Sequence, residues 1–300
     1  MIDISGRCGL QIALNEENKL VFHDEIEHMP VSTRRSSDMK GLWLYPECDY
    51  DVEIYYMYSD VHLKSDKDLF EKYKIRYDMT VIPPFVLGKE FVKTAGHYHP
   101  NCENTKVGYP EVYEVIYGVA HYILQKRDES NYDVSDCVMI EAKEGDKVII
   151  PSGYGHVTVN PSKKPLVMSN LVCRDFNSEY ALYKELKGAA YYEVSDYDGS
   201  CRLVQNNNYG LDVPLRKLDL KYVHEFGIHE DKSLYQSFKD LPERFDWLLN
   251  PQRYIDEMEL LTQKDDICSC KYKNCFGQKG SSSERNSLCY NNRTFWSGQD

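Results

Sequence analysis

Between about residues 50 and 175, apolar and polar positions alternate in short runs, and turn residues close each run. A period of two puts successive side chains on opposite faces of an extended chain, so each run predicts a half-buried strand. "DVEIYYMYSD" reads as a tyrosine-rich strand. "LFEKYKIRYDMTVIPPFVLGKEFVKTAGHYHP" reads as one strand, a Pro-Pro turn after Ile82, and a second strand ending in His97 and His99. "EVYEVIYGVAHYILQKRD" predicts two strands about Gly118. "CVMIEAKEGDKVIIPSGYGHVTVNPSKKPLVMSNLVC" continues the pattern, with Gly145-Asp146, Gly153 and Asn160-Pro161 as punctuation. Strands at this spacing predict an antiparallel sandwich or closed barrel, uninterrupted by any long amphipathic helix. Helical periodicity comes late, in "NSEYALYKELKG" and "LPERFDWLLNPQRYIDEMELL", so helices are expected mainly after Asn177. The expected layout is N-terminal strands over 1–44, a barrel domain over 45–200 with its barrel from about 45 to 175, and an extension with a helix over 201–262. The polar, Ser/Asn-rich segment 263–300 is expected to be a disordered tail.

Composition narrows the chemistry. The 300 residues allow one large or two modest domains. The 25 tyrosines suit strands and wet pockets, where a ring packs while its hydroxyl finds a partner. A formal charge of −12 argues against nucleic acid and means that an anionic substrate needs a local cation. No apolar run approaches membrane-spanning length, so no membrane partner is expected. The opening "MIDISGRCGLQ" lacks the basic-then-apolar layout of a signal peptide, which makes a cytoplasmic protein with mostly reduced cysteines the expectation. Cys268, Cys270, Cys275 and Cys289 crowd the tail, but C-x-C with later partners fits poorly the pair spacing of structural zinc sites.

The stretch "TAGHYHP" carries the sharpest signal. His97 and His99, two of nine histidines, stand at i and i+2 and so share one strand face. An acidic-aromatic strand, "YPEVYEV", follows; in it Glu111, Tyr113 and Val115 share one face and Val112, Glu114 and Ile116 the other. A third cluster, "IIPSGYGHVTVN", brings His156 onto a strand through a Pro/Gly turn. Three neutral imidazoles and one carboxylate suit an open site for a divalent first-row metal. Each histidine alone reads as an ordinary polar residue; the combination favours a metal. Residue type alone does not choose Glu111 over its neighbours Glu103 and Glu114.

The segments "GHYHP", "YPEVYEVIYG" and "PSGYGHVTVN" resemble the two motifs of cupins, and more specifically the cupin-type glucose-6-phosphate isomerase family found in many archaea and some bacteria. The resemblance covers roughly residues 30 to 195 and includes "TRRSSDMKG" and "IYYMY" upstream. It implies a cupin antiparallel β-barrel (jelly-roll), a homodimer, and interconversion of glucose 6-phosphate and fructose 6-phosphate in glycolysis and gluconeogenesis. It makes His97, His99, Glu111 and His156 the ligands of one divalent metal, Fe(II) first, with Mn(II), Ni(II) or Zn(II) as substitutes. It places the sugar phosphate against Thr80, Thr94, Gly96, Tyr113 and Tyr180. Neutral hydroxyl and amide donors can hold a phosphate dianion without an arginine, and glycine admits the close backbone approach. A tyrosine that compact archaeal members carry after the last histidine falls here near Val172.

Two chemical routes are open. A base, with Glu111 the first candidate, moves the C2 proton to C1 through an enediol while Tyr113 serves the sugar oxygens. Alternatively, hydrogen crosses directly beside a metal-polarised carbonyl. The competing readings are another metal-dependent cupin, such as a sugar-phosphate epimerase, dioxygenase or decarboxylase, and a non-catalytic sugar-binding cupin. Hydroxyls and glycine beside the ligands favour phosphate over the redox chemistries, and a complete tetrad counts against the non-catalytic reading.

Overall fold

The computed structural model describes residues 1–46, 51–128, 133–196, 200–210, 214–222 and 224–263. Two sheets form the walls of a barrel. The larger has six strands in the order Lys147–Ile150, Glu111–Tyr117, Leu166–Cys173, Ile75–Ile82, Glu53–Tyr58, Ser32–Arg35. The smaller has four, in the order Tyr154–Val159, Val119–Arg127, Val134–Lys143, Leu215–Leu218. Pairing is antiparallel throughout these walls except between the last two strands. That parallel edge is possible because a long connection separates them, as parallel pairing requires.

Alternation decides which residues meet inside. Tyr113 and Val115 face inward with Tyr122, Leu124, Val138, Ile140, Ile150 and Met168, and these close the space between the sheets. Val112 and Ile116, pointing the other way, join Tyr77, Met79 and Leu171 in a second layer covered by Phe226, Leu234, Phe238 and Trp247. Burying each such side chain contributes about 1.5–3 kcal/mol. The segment from Phe226 on is therefore a lid on the outer face of the larger sheet. It is pinned by a buried ion pair: Lys147 Nζ lies 3.4 Å from Glu114, and Glu114 Oε2 accepts the Leu234 N–H at 2.8 Å. Burial pushes the Glu114 carboxyl up to about 7 despite Lys147.

Three details differ from the sequence expectation. The "LFEK" run belongs to a helix, Lys67–Lys72, between two strands of the larger wall, and another short helix, Ser5–Cys8, precedes the barrel. The histidine segment is not a regular strand but a chain of isolated bridges, Lys93 to Val159 and His97 to His156. Gly96, at φ +76°, breaks the extended run just before His97. Finally, "LPERFDWLLNPQRYIDEMELL" splits into a 3-10 helix Pro242–Leu248, a turn Pro251–Arg253 and a helix Ile255–Leu260. Pro251 lacks the N–H that a continuous helix would use. Among the described residues no helix is long and apolar enough to cross a membrane. The tail from Lys264 on, with its four cysteines, lies outside the described residues.

Candidate metal and substrate site

Four side chains from three separate segments converge inside one end of the barrel. The backbones of His97 and His156 bond reciprocally, at 3.3 and 3.0 Å, which sets the bridge segment against the strand Tyr154–Val159. Glu111 opens its strand and faces the same space. One ligand atom from each of His97, His99, Glu111 and His156 lies within 4.8 Å of the others. His97 Nε2 is 3.2 Å from His99 Nε2, while Glu111 Oε2 is 3.4 Å from His99 Nε2 and 3.3 Å from His156 Nε2. Of the other carboxylates, Glu103 is exposed on a loop and Glu114 faces the lid.

The donor set fits a cation. His99 Nδ1 lies 2.9 Å from the Tyr109 carbonyl, which can only accept, so Nδ1 carries the proton and Nε2 turns its lone pair inward. Burial holds the His99 imidazole down to about 4 and those of His97 and His156 well below 6.5, so all three are neutral. Glu111 Oε2 is buried and has no hydrogen-bond partner among the described residues. Burial pushes this carboxyl up to about 8. A buried acceptor beside three neutral nitrogens is a costly arrangement unless a positive charge completes it.

The other residues singled out from the sequence surround this point. Tyr113 presents its hydroxyl 3.1 Å from His156 Nε2. Tyr180 sets its ring 5.4 Å from that of His97. Gly96 lines a cavity of about 70 Å³ together with Arg34, Ala95, Tyr180 and Lys184. A side chain at Gly96 would collide with the Tyr183 ring, whose nearest carbon is 2.5 Å from where a Cβ would stand, so backbone is all that fits there. Thr94 Oγ1 accepts the Thr158 N–H at 3.0 Å, leaving its own proton to donate. Thr80 is paired with Met168, which is paired with Val115, so its hydroxyl shares the inner face without a partner among the described residues. A larger cavity, about 480 Å³, lies beside His99 between the Asn101–Gly108 loop and residues 255–262; Tyr113, Tyr180, Thr80 and Thr94 do not line it.

Sequence reading missed four residues. Asn170 donates to Glu111 Oε1 at 2.6 Å. Tyr55 accepts from Arg34 Nε at 3.2 Å and from the Ala95 N–H at 3.3 Å, so its own buried proton is free to donate. Arg76 stands in the same cross-strand row as Glu111. Both Arg34 and Tyr55 fall within the stretches that carry the family resemblance, "TRRSSDMKG" and "IYYMY". Asn170 had a weaker signal, a polar residue in the otherwise apolar run "LVMSNLVC". Val172 supplies no hydroxyl; it stands between Glu111 on one side and Arg76 on the other.

A family model described as glucose-6-phosphate isomerase (GPI) matches residues 33–211. The chain is similar to the glucose-6-phosphate isomerase of Thermococcus litoralis, at 29% identity over 53% of this chain and 78% of that protein. It is similar to that of Thermococcus kodakarensis, at 29% over 58% and 84%, and to that of Pyrococcus furiosus, at 27% over 60% and 89%. A likeness to the solved oxalate decarboxylase of Bacillus subtilis, at 19% identity over 42% of this chain and 27% of that one, has a TM-score of 0.29 and carries no argument. The barrel of two facing sheets is a cupin fold. The matched span contains every residue of the cluster, and the chain belongs to the glucose-6-phosphate isomerase family.

Proposed function

We propose that this protein interconverts glucose 6-phosphate and fructose 6-phosphate with one divalent first-row metal, Fe(II) first, held by His97, His99, Glu111 and His156. The observation that carries the reading is the convergence of three neutral imidazoles and an unpartnered carboxylate oxygen beside a hydroxyl- and glycine-lined approach. The metal, when bound, polarises the sugar carbonyl and its neighbouring hydroxyl. Thr80, Thr94, Tyr180 and the Gly96 backbone supply donors for the phosphate, and Tyr113 faces the sugar oxygens. Arg34 and Lys184 line the same approach with Asp38, and their excess positive charge is what an anionic substrate needs in a protein of net charge −12. The homodimer and cytoplasmic setting belong to the same proposal, with light scattering as the check on the first.

Glu111 is the first candidate for the base that moves the C2 proton. Its Oε1 is held by Asn170 and its Oε2 faces the imidazoles, so proton transfer would use the second lone pair of Oε1. Turnover under anaerobic conditions, in deuterated water, tests both activity and route. Deuterium in the product at C1 or C2 indicates an enediol; retention of substrate hydrogen indicates direct transfer. Absence of isomerisation with every first-row metal would overturn the proposal.

A further inference from the structure

Arg76 and Asp78 make an ion pair on the inner face of the barrel wall that the proposed chemistry leaves unused. The register places Arg76 opposite Val172, which stands opposite Glu111, so all three share one row and one face. One row further in, Asp78 stands opposite Asn170, and Asn170 opposite Tyr113. Arg76 Nε donates to both carboxylate oxygens of Asp78, at 2.9 and 2.8 Å. Asp78 also accepts the Asp60 N–H at 2.8 Å. The carboxylate thus fixes one edge of the guanidinium, while its outer nitrogens have no partner among the described residues. The side chain is 31% exposed, and its positive charge reaches both Glu111 and His99.

Position along the strand gives this cation a direction. Thr80, one of the candidate phosphate donors, is four residues from Arg76 on the same strand, roughly 13 Å away at about 3.3 Å per residue. A sugar phosphate anchored at Thr80 and Thr94 therefore turns its reacting end, not its phosphate, toward the row of Glu111 and Arg76. We propose that the outer guanidinium nitrogens of Arg76 donate to the sugar oxygen at that reacting end, where negative charge develops as hydrogen moves between C1 and C2. Asp78 is the positioning residue that aims the fork. A guanidinium stays charged at any working pH, and a donor fixed before the reaction stabilises such charge without reorganisation. This inference rests on the isomerase reading and deepens it.

The test compares two ligands of the metal-loaded full chain by calorimetry. 6-Phosphogluconate carries a carboxylate at C1, and glucitol 6-phosphate has the same carbon chain without that charge. Arg76→Met is expected to weaken 6-phosphogluconate about ten-fold or more. Glucitol 6-phosphate affinity should stay within about two-fold and metal content should be unchanged. Arg76→Lys, which keeps the charge and loses the fork, should restore part of the difference, and it carries the comparison if the methionine variant does not fold. In turnover the loss should fall on kcat more than on KM. Equal weakening of both ligands, or of neither, overturns the role of Arg76 alone. A wild-type protein that binds neither ligand removes the isomerase reading and this inference together.

Discussion

Asn170 holds Glu111: its amide donates to Oε1 at 2.6 Å, from a strand position directly opposite Tyr113. The contact leaves Oε2 as the oxygen turned to the three imidazoles. Hydrogen-bonded partners of metal ligands orient them, and their loss costs about 10–100-fold in metal affinity. Asn170→Leu should reproduce that loss in a competition titration against a fluorescent chelator, with the fold intact by circular dichroism. Unchanged affinity would show that Glu111 needs no such support.

His156 and His121 are both buried, which makes them a matched pair for testing the metal. His121 binds Glu193 at 2.7 Å and stands outside the cluster, whereas His156 contributes to it. His156→Ala should lower metal content and turnover together. His121→Ala should cost stability and leave the metal-to-protein ratio of the folded fraction unchanged by elemental analysis. Treatment with a chelator should abolish turnover, and Fe(II), Mn(II) or Ni(II) should restore it.

The lid over the larger sheet depends on Lys147. Removing one partner of a buried pair typically costs about 3–5 kcal/mol, because the other charge is stranded. Lys147→Met should destabilise the fold toward that order in chemical denaturation only well above pH 7, where Glu114 is ionised. The sign with pH follows from Glu114, whose folded carboxyl already sits at about 7, above its ordinary 4.5. A folded value above the unfolded one means the folded state binds the proton more tightly. Below about 7 the folded carboxyl takes up a proton with or without Lys147, so the penalty should be small there and grow as pH rises above that value toward the higher one the missing lysine gives it. Glu114→Gln keeps an acceptor for the Leu234 N–H, so the double variant should recover most of the loss.

Alternation made the barrel legible: the Glu111–Tyr117 strand, its turn at Gly118 and the later strands stand where period-two runs put them. The inward and outward faces of "EVYEV" were readable too, because a strand fixes both at once. Local pattern failed where tertiary pairing decides. "LFEK" has too few positions to separate a turn of helix from a strand end, and Gly96 interrupts the histidine segment without changing its polarity pattern. The His/Glu cluster was visible because imidazoles at i and i+2 are rare in composition and specific in chemistry. Asn170, Arg76 and Asp78 were not visible, since each acquires its meaning only from cross-strand register. Val172 joins Arg76 to Glu111 across strands far apart in the sequence, and no local pattern reports that.

On the proposed reading, Thr80 and Thr94 would separate phosphate recognition from metal binding, because neither belongs to the His/Glu cluster. Thr80 has no hydroxyl partner among the described residues, so Thr80→Val should cost substrate affinity and little stability. Thr94 Oγ1 also accepts the Thr158 N–H, so Thr94→Ala removes a substrate donor and strands a backbone N–H at once. Thr94→Ser keeps both bonds and is the control. A lost hydrogen bond to a charged group is worth about 1.5–3 kcal/mol, or roughly ten- to a hundred-fold in KM. Thr80→Val and Thr94→Ala should each raise KM by that order while metal content stays unchanged, and Thr94→Ala alone should also lower the denaturation midpoint. Glucose without its phosphate should be a poor substrate for every form. Equal turnover of glucose and glucose 6-phosphate by the unaltered protein would remove the phosphate assignment, because neither threonine would then have an anion to bind.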